Sequence, residues 1–233
     1  MKDQYFGDVG DYGKYGLLRF LAKAGSKIGV HWYLTPADGT ADGKFISYLN
    51  DAKMEPYDPA LFQALKRIVW EEGTRNVAYF GEKGFIPNAT YYEALVPTNI
   101  NGMREAWHRR ALAMFADREL IFMDPDNGLL KKGSRRSYKQ KYCFSTEVAD
   151  FYNAGKNVVY YCSKGRRTPE QWLTAKTIMR QDLPDACIKV ITYHKGTQRS
   201  YIFVLHPHTA SQYHSLLAEF IQKWSPLFSE DPI

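Results

Sequence analysis

An α/β domain with a mostly parallel sheet of about seven strands, helices on both faces and a terminal antiparallel hairpin is predicted by three features of the 233-residue sequence. Apolar runs of strand length alternate with amphipathic stretches of helix length, the pattern of a doubly wound sheet. One such run, Leu120 to Met123, ends in Asp124-Pro125-Asp126-Asn127-Gly128, as a buried parallel strand does when it delivers side chains to its carboxyl end. The runs Cys187 to Tyr193 and Ser200 to His206 are joined only by HKGTQR, which makes them a hairpin and the second strand antiparallel. No linker, repeat or low-complexity tract interrupts residues 1–233, so one domain is expected.

A Gly/Asp/Tyr-rich opening precedes a helical pattern from Lys14 to Ala24, carried by Tyr15, Leu18, Phe20 and Leu21. Lys27 to Leu34 reads as the first buried strand, stopped by Thr35-Pro36. The turn TPADGTADG leads to a helix expected from Asp42, with Phe45, Ile46 and Leu49 apolar. Asp58-Pro59 carries the cap-plus-proline signature of a helix reaching Glu72. Asn76 to Phe80 and Ala89 to Leu95 read as weaker strands, and Asn101 to Ala116 as a helix feeding the acid-tipped strand. A basic loop over residues 129–142 follows, then a helix from Ser145 to Ala154 stopped at Gly155. Asn157 to Cys162 is the next strand. Thr168 caps a helix to Gln181, and a last amphipathic helix covers Ala210 to Lys223.

Composition bounds the function. Net charge is +6 and the pI near 9.0, which suits a polyanionic partner. Cys143, Cys162 and Cys187 form no CxxC pair, which argues against structural zinc. The polar amino terminus lacks a signal-peptide core and no apolar run reaches spanning length, so a cytoplasmic, membrane-free protein is expected. There is no GxSxG elbow and no Walker A loop; His31, inside the first strand, reads as a core residue.

Two segments carry a family resemblance. FGDVGDYGKYGLLRFL resembles the AGN-x-ADVLKH-x-x-L opening of the ribosomal-RNA adenine-N6 methyltransferases that act on large-subunit RNA. Gly7-Asp8, Asp11-Tyr12 and Lys14-Tyr15 take the places of Gly-Asn, Asp-Val and Lys-His. FMDPDNG resembles their DPPY motif, with Asp126 in place of the second proline and Asn127 in place of the aromatic residue. YLTPADGTADGKF sits where that family has its glycine-containing cofactor loop.

The resemblance implies the Rossmann-like fold of class I S-adenosylmethionine-dependent methyltransferases and methyl transfer to a base amino group of a nucleic acid. It implies that Asp124 and the Pro125 carbonyl orient the amine, with Asp126 and Asn127 beside them and Lys14 over the cofactor or a phosphate. The cofactor would lie against Thr35, Asp38, Gly39 and Gly43, and its ribose on an acid after the second or third strand, Glu82 or Glu93.

The basic residues fall in three loops. Lys131, Lys132, Arg135, Arg136, Lys139 and Lys141, interleaved with Tyr138 and Tyr142, follow the acid-tipped strand. Lys164, Arg166 and Arg167 follow the next strand, and Lys195 and Arg199 flank the hairpin turn. Each alone is an ordinary solvated loop. Together they fall on one sheet edge, where they would neutralise phosphates while tyrosines stack on unpaired bases.

Two other functions are compatible with these residues. Asp124, Asp126 and Glu147 could hold Mg²⁺ for a nuclease or phosphodiesterase, with Lys164, Arg166 and Arg167 on a phosphate. A catalytically silent nucleic-acid-binding protein would keep the fold and the basic edge alone.

Overall fold

The computed structural model describes residues 1–37, 39, 43–98, 102–131, 134 and 139–233. Its strands are β1 (Ile28–His31), β2 (Thr90–Tyr92), β3 (Leu120–Met123), β4 (Gly128–Leu130), β5 (Tyr142–Phe144), β6 (Asn157–Ser163), β7 (Cys187–Tyr193), β8 (Arg199–Leu205) and β9 (Phe228–Glu230). Seven of them form one sheet in the order β2-β1-β3-β6-β8-β7-β9. The first four in that order are mutually parallel, and β8 is antiparallel to both of its neighbours. The hairpin therefore closes as the short HKGTQR link requires, and β7 again runs parallel to β6. The carboxyl ends of β1, β3, β6 and β7 share one edge.

The strands alternate between two cores. Leu120 and Phe122 of β3 join Ile28, Val159 and Phe203 on one face, while Ile121 and Met123 join Val158, Tyr160 and Ile202 on the other. Period-two burial on both faces explains why these runs are continuously apolar. The first face is covered by α1 (Val9–Lys23), α2 (Pro59–Lys66), the short α3 (Val77–Glu82) and, late in the chain, α7 (Pro207–Lys223). The second is covered by α4 (Met103–Met114), α5 (Ser145–Asn153) and α6 (Pro169–Thr177). Among the described residues no helix is long and apolar enough to cross a membrane.

α1 lies unusually close to its neighbours because Gly10, Gly13 and Gly16 recur every three residues on one face. A Cβ at these positions would stand 2.1, 2.8 and 2.2 Å from Arg199, Tyr193 and Trp224. The caps read from sequence are present. Asp58 accepts from the Leu61 amide, with Pro59 at the first helical position, and Thr168 accepts from the Gln171 amide.

Several expected elements differ. Asn76 to Phe80 is helical: the Asn76 side chain caps α3 by accepting from the Ala78 amide, so no strand forms there. Asp42 lies outside the described residues, and the expected helix is only the 3-10 turn Ser47–Asn50, leaving Phe45 outside any helix and 59% exposed. The basic loop is held at its base by the parallel pair β4–β5, with Leu129 opposite Cys143. Gly128 opens β4 at φ +111 with a Cβ position 2.6 Å from the Cys162 sulfur, so glycine alone fits there. β9, absent from the expectation, extends the sheet beside β7.

Candidate functional site

β1 and β3 are adjacent, yet the chain leaves β1 for β2 on its other side before returning to β3. That reversal opens a crevice at the carboxyl edge, where α/β sheets take ligands. A cavity of about 310 Å³ lies here, within the size range of small-molecule sites. Its walls come from the start of α1 (Asp8, Gly10, Asp11, Lys14), the end of β3 (Asp124 to Asn127) and the β7–β8 turn (Thr197, Arg199). Phe45, Lys141 and Tyr161 also line it.

Asp124 continues β3 by donating its amide to the His31 carbonyl at 3.0 Å, which aims its side chain out of the sheet end. Its Oδ2 lies 2.7 Å from Lys14 Nζ, which also lies 2.7 Å from Asp11 Oδ1. These side chains are 4–6% exposed. Burial disfavours the ammonium, but the two carboxylates outweigh it and hold the Lys14 pKa above the ordinary lysine value. Burial raises the Asp124 carboxyl, against the pull of Lys14 and the Met1 ammonium. Two buried carboxylates thus share a single lysine.

Asp8 caps α1, accepting from the Asp11 amide at 2.9 Å, and its other oxygen takes Arg199 at 3.2 Å. Burial and the neighbouring Asp11 raise its pKa, with Arg199 opposing. Asp11 Oδ2 in turn accepts from the Gly7 amide and the Tyr15 hydroxyl, at 3.1 and 2.8 Å. Asp126 Oδ1 meets the Met1 amine at 2.6 Å, while its buried Oδ2 has no partner among the described residues. The result is a carboxylate-walled floor whose rotamers are fixed by ion pairs and helix-end amides.

Lys14, Asp124, Pro125, Asp126 and Asn127, distant in sequence, all line this one cavity. Of the residues expected around a cofactor, Gly43 lines it at φ +80, where a Cβ would stand 2.5 Å from the Gln4 carbonyl. Thr35 is buried with its amide on the Met1 carbonyl and does not line the cavity, and Gly39 is exposed outside it. Asp38 lies outside the described residues. Glu82 is not at a strand end, because its segment is α3; Glu93 is the acid that follows β2 directly.

The basic residues divide. Lys132, Arg135, Arg136 and Tyr138 lie outside the described residues. Lys131 pairs with Gln181, and Lys139 is exposed with its carbonyl on Arg104. Lys195 is exposed, 3.9 Å from Asp51. Arg166 is exposed and Lys164 half-buried, while Arg167 folds back onto the Ser163 and Lys164 carbonyls. Arg199 is a correction: paired to Asp8 in the cavity wall, it is no surface phosphate ligand.

The Mg²⁺ set is also corrected. Glu147 receives Arg104 through two nitrogens at 2.7 and 3.0 Å, the Tyr33 hydroxyl at 2.9 Å and the Phe144 amide at 2.8 Å. It thus fastens α4 to the start of α5 and does not line the cavity. Lys14 Nζ occupies the position between Asp11 and Asp124 that a cation would take. Among the described residues no group of three His, Cys, Asp or Glu is arranged to hold a metal ion.

Asp8, Asp11 and Phe45 are wall residues that the sequence reading did not assign to the site. Asp8, Asp11 and Lys14 recur at three-residue spacing, one face of a helix, which marks the acids in retrospect. Phe45 has no such mark.

No family model matches the chain, and no curated protein does. Among solved structures, protein LPL1258 of Legionella pneumophila str. Philadelphia 1, a DUF519 family-model protein, matches with a TM-score of 0.50 at 12% identity. The match covers 97% of this chain and 96% of that one, and it is a likeness of fold: an α/β architecture around a mostly parallel sheet.

Proposed function

We propose that the chain is an S-adenosylmethionine-dependent methyltransferase acting on an amino group of a nucleic-acid base. The observation that carries this reading is Asp124. It is a carboxylate at the tip of β3, in the crevice between β1 and β3, fixed by Lys14 at 2.7 Å in a sheet whose β8 inserts antiparallel. The wall chemistry fits the donor, a sulfonium and ammonium cation: Asp8, Asp11, Asp124 and Asp126 line the cavity, and Asp126 Oδ2 has no partner among the described residues. Gly43 keeps one wall open where any side chain would strike backbone. S-Adenosylmethionine supplies, when bound, an electrophilic methyl group.

The chain's own residues would then do the following. Asp124 and the Pro125 carbonyl accept the amine's N–H bonds and aim its lone pair, an orientation effect more than a basicity effect. Lys14 holds Asp124 in one rotamer. Asp126 Oδ2 takes the proton that the amine sheds. The exposed side chains of Lys139, Arg166 and Lys195 hold the phosphate backbone.

Calorimetric titration with S-adenosylhomocysteine, with and without Mg²⁺, tests the reading. Saturable binding that needs no metal is expected. Metal binding without nucleoside binding would overturn it.

A further inference from the structure

The backbone that returns from the basic loop is gripped by one side chain. Arg104, in the first turn of α4, donates to the Lys139 carbonyl at 3.1 Å and to the Tyr142 carbonyl at 2.6 Å. The same guanidinium pairs with both oxygens of Glu147, at 2.7 and 3.0 Å, and lies 3.8 Å from the centroid of the Phe144 ring. Between the two gripped carbonyls Lys141 lines the cavity, and its own carbonyl accepts the Asn127 amide at 2.9 Å. Lys139 begins the segment with its side chain exposed. Glu147 also accepts the Tyr33 hydroxyl at 2.9 Å. Tyr33 stands at φ +37, a conformation costly for an aromatic residue, and its carbonyl takes the cavity-lining Met1 amine at 3.1 Å.

Arg104 and Glu147 do not themselves line the cavity. Their side chains are 14% and 5% exposed. Stability alone does not call for such a pair, because apolar residues of similar volume often serve as well. Apolar residues cannot grip two backbone carbonyls, however. Lysine offers a point charge where arginine offers a planar fork of donors. We propose that Arg104 is a positioning residue for nucleic-acid binding: braced by Glu147, it fixes residues 139–142 so that Lys139 meets the phosphate backbone beside the cavity wall formed by Lys141. The proposal rests on the reading that Lys139 holds that backbone. Arg104 acts through the segment and makes no phosphate contact of its own.

The test measures binding of a fluorescein-labelled single-stranded oligonucleotide, made as RNA and as DNA, across a salt series. The slope of log affinity against log salt counts neutralised phosphates, at about 0.7 per contact on a single strand. Arg104→Lys keeps the net charge and a cation for Glu147 but loses the fork. Arg104→Met combined with Glu147→Gln also keeps the net charge and strands no buried carboxylate. Circular dichroism and urea unfolding select folded material. Each variant should lower the slope by about 0.7, as should Lys139→Gln, and adding Lys139→Gln to either should lower it no further. A merely structural role would leave the slope at its wild-type value. That result in either Arg104 variant would overturn the proposal, as would an unchanged slope in Lys139→Gln or losses that add. A salt-dependent wild type with unchanged variants refutes this proposal alone. A wild-type slope near zero on both RNA and DNA refutes the nucleic-acid reading and this proposal with it.

Discussion

Replacing Lys14 by methionine removes a charge at nearly constant side-chain length. In the native cavity Lys14 Nζ lies 2.7 Å from both Asp11 and Asp124, with all three side chains at most 6% exposed. Deleting one member of a buried pair costs about 3–5 kcal/mol, because the remaining charge is neither solvated nor paired. Here two carboxylates lose their shared cation, so the upper half of that range is expected near neutral pH. For a chain of this size the loss lowers Tm by about 8–20 °C. The pH dependence has a definite sign. Burial without a cation raises the carboxyl pKa values of the folded variant above the ordinary value of 3.8. Between those values the folded state binds more protons than the unfolded chain, so stability falls as pH rises through the window. Urea unfolding of wild type and Lys14→Met at about pH 7.5 and about pH 5 should therefore show a smaller difference at the lower pH. A difference below about 1 kcal/mol at both pH values would refute the proposed role of Lys14 as the shared counter-ion.

Gly16→Ala places a methyl group 2.2 Å from Trp224, so it should destabilise by about 1–3 kcal/mol despite alanine's better helix propensity, and shift the tryptophan emission. Asp8→Asn keeps a side-chain oxygen for the Asp11 amide, whereas Asp8→Ala loses the cap. Chemical denaturation should find the alanine variant less stable than the asparagine variant by about 1 kcal/mol. Burial raises the thiols of Cys143 and Cys162, the latter to about 11, while Cys187 is partly exposed. A thiol reagent at about pH 8 should label Cys187 in native protein and reach the other two only on unfolding.

The parts of the fold with local causes were readable in the sequence. Leu120 to Met123 is apolar on both faces because both faces are covered, and the six-residue link HKGTQR admits only a hairpin. Asp58-Pro59 and Thr168 announce helices through their own side chains. Misreadings occurred where a short-range bond outweighed pattern. VAYFGE has the composition of a strand, but Asn76 caps it into α3, which moved the acid that follows a strand from Glu82 to Glu93. At the site, the acid-tipped strand and Lys14 could be named before their meeting was visible. Arg199 and Glu147 could not be assigned, because their roles depend on partners 191 and 43 residues away, Asp8 and Arg104. A charged side chain reads the same in sequence whether it will face solvent or a buried counter-ion.

Transfer of a tritium-labelled methyl group from S-adenosylmethionine to nucleic acid most directly tests the chemistry assigned to the cavity. Wild-type protein should label single-stranded RNA or DNA, and Asp124→Asn, assayed on material whose circular dichroism matches wild type, should lose at least about 100-fold in rate because the amine is no longer held by a carboxylate. Undiminished labelling by Asp124→Asn, or no labelling of either nucleic acid by folded wild-type protein, would contradict the assignment.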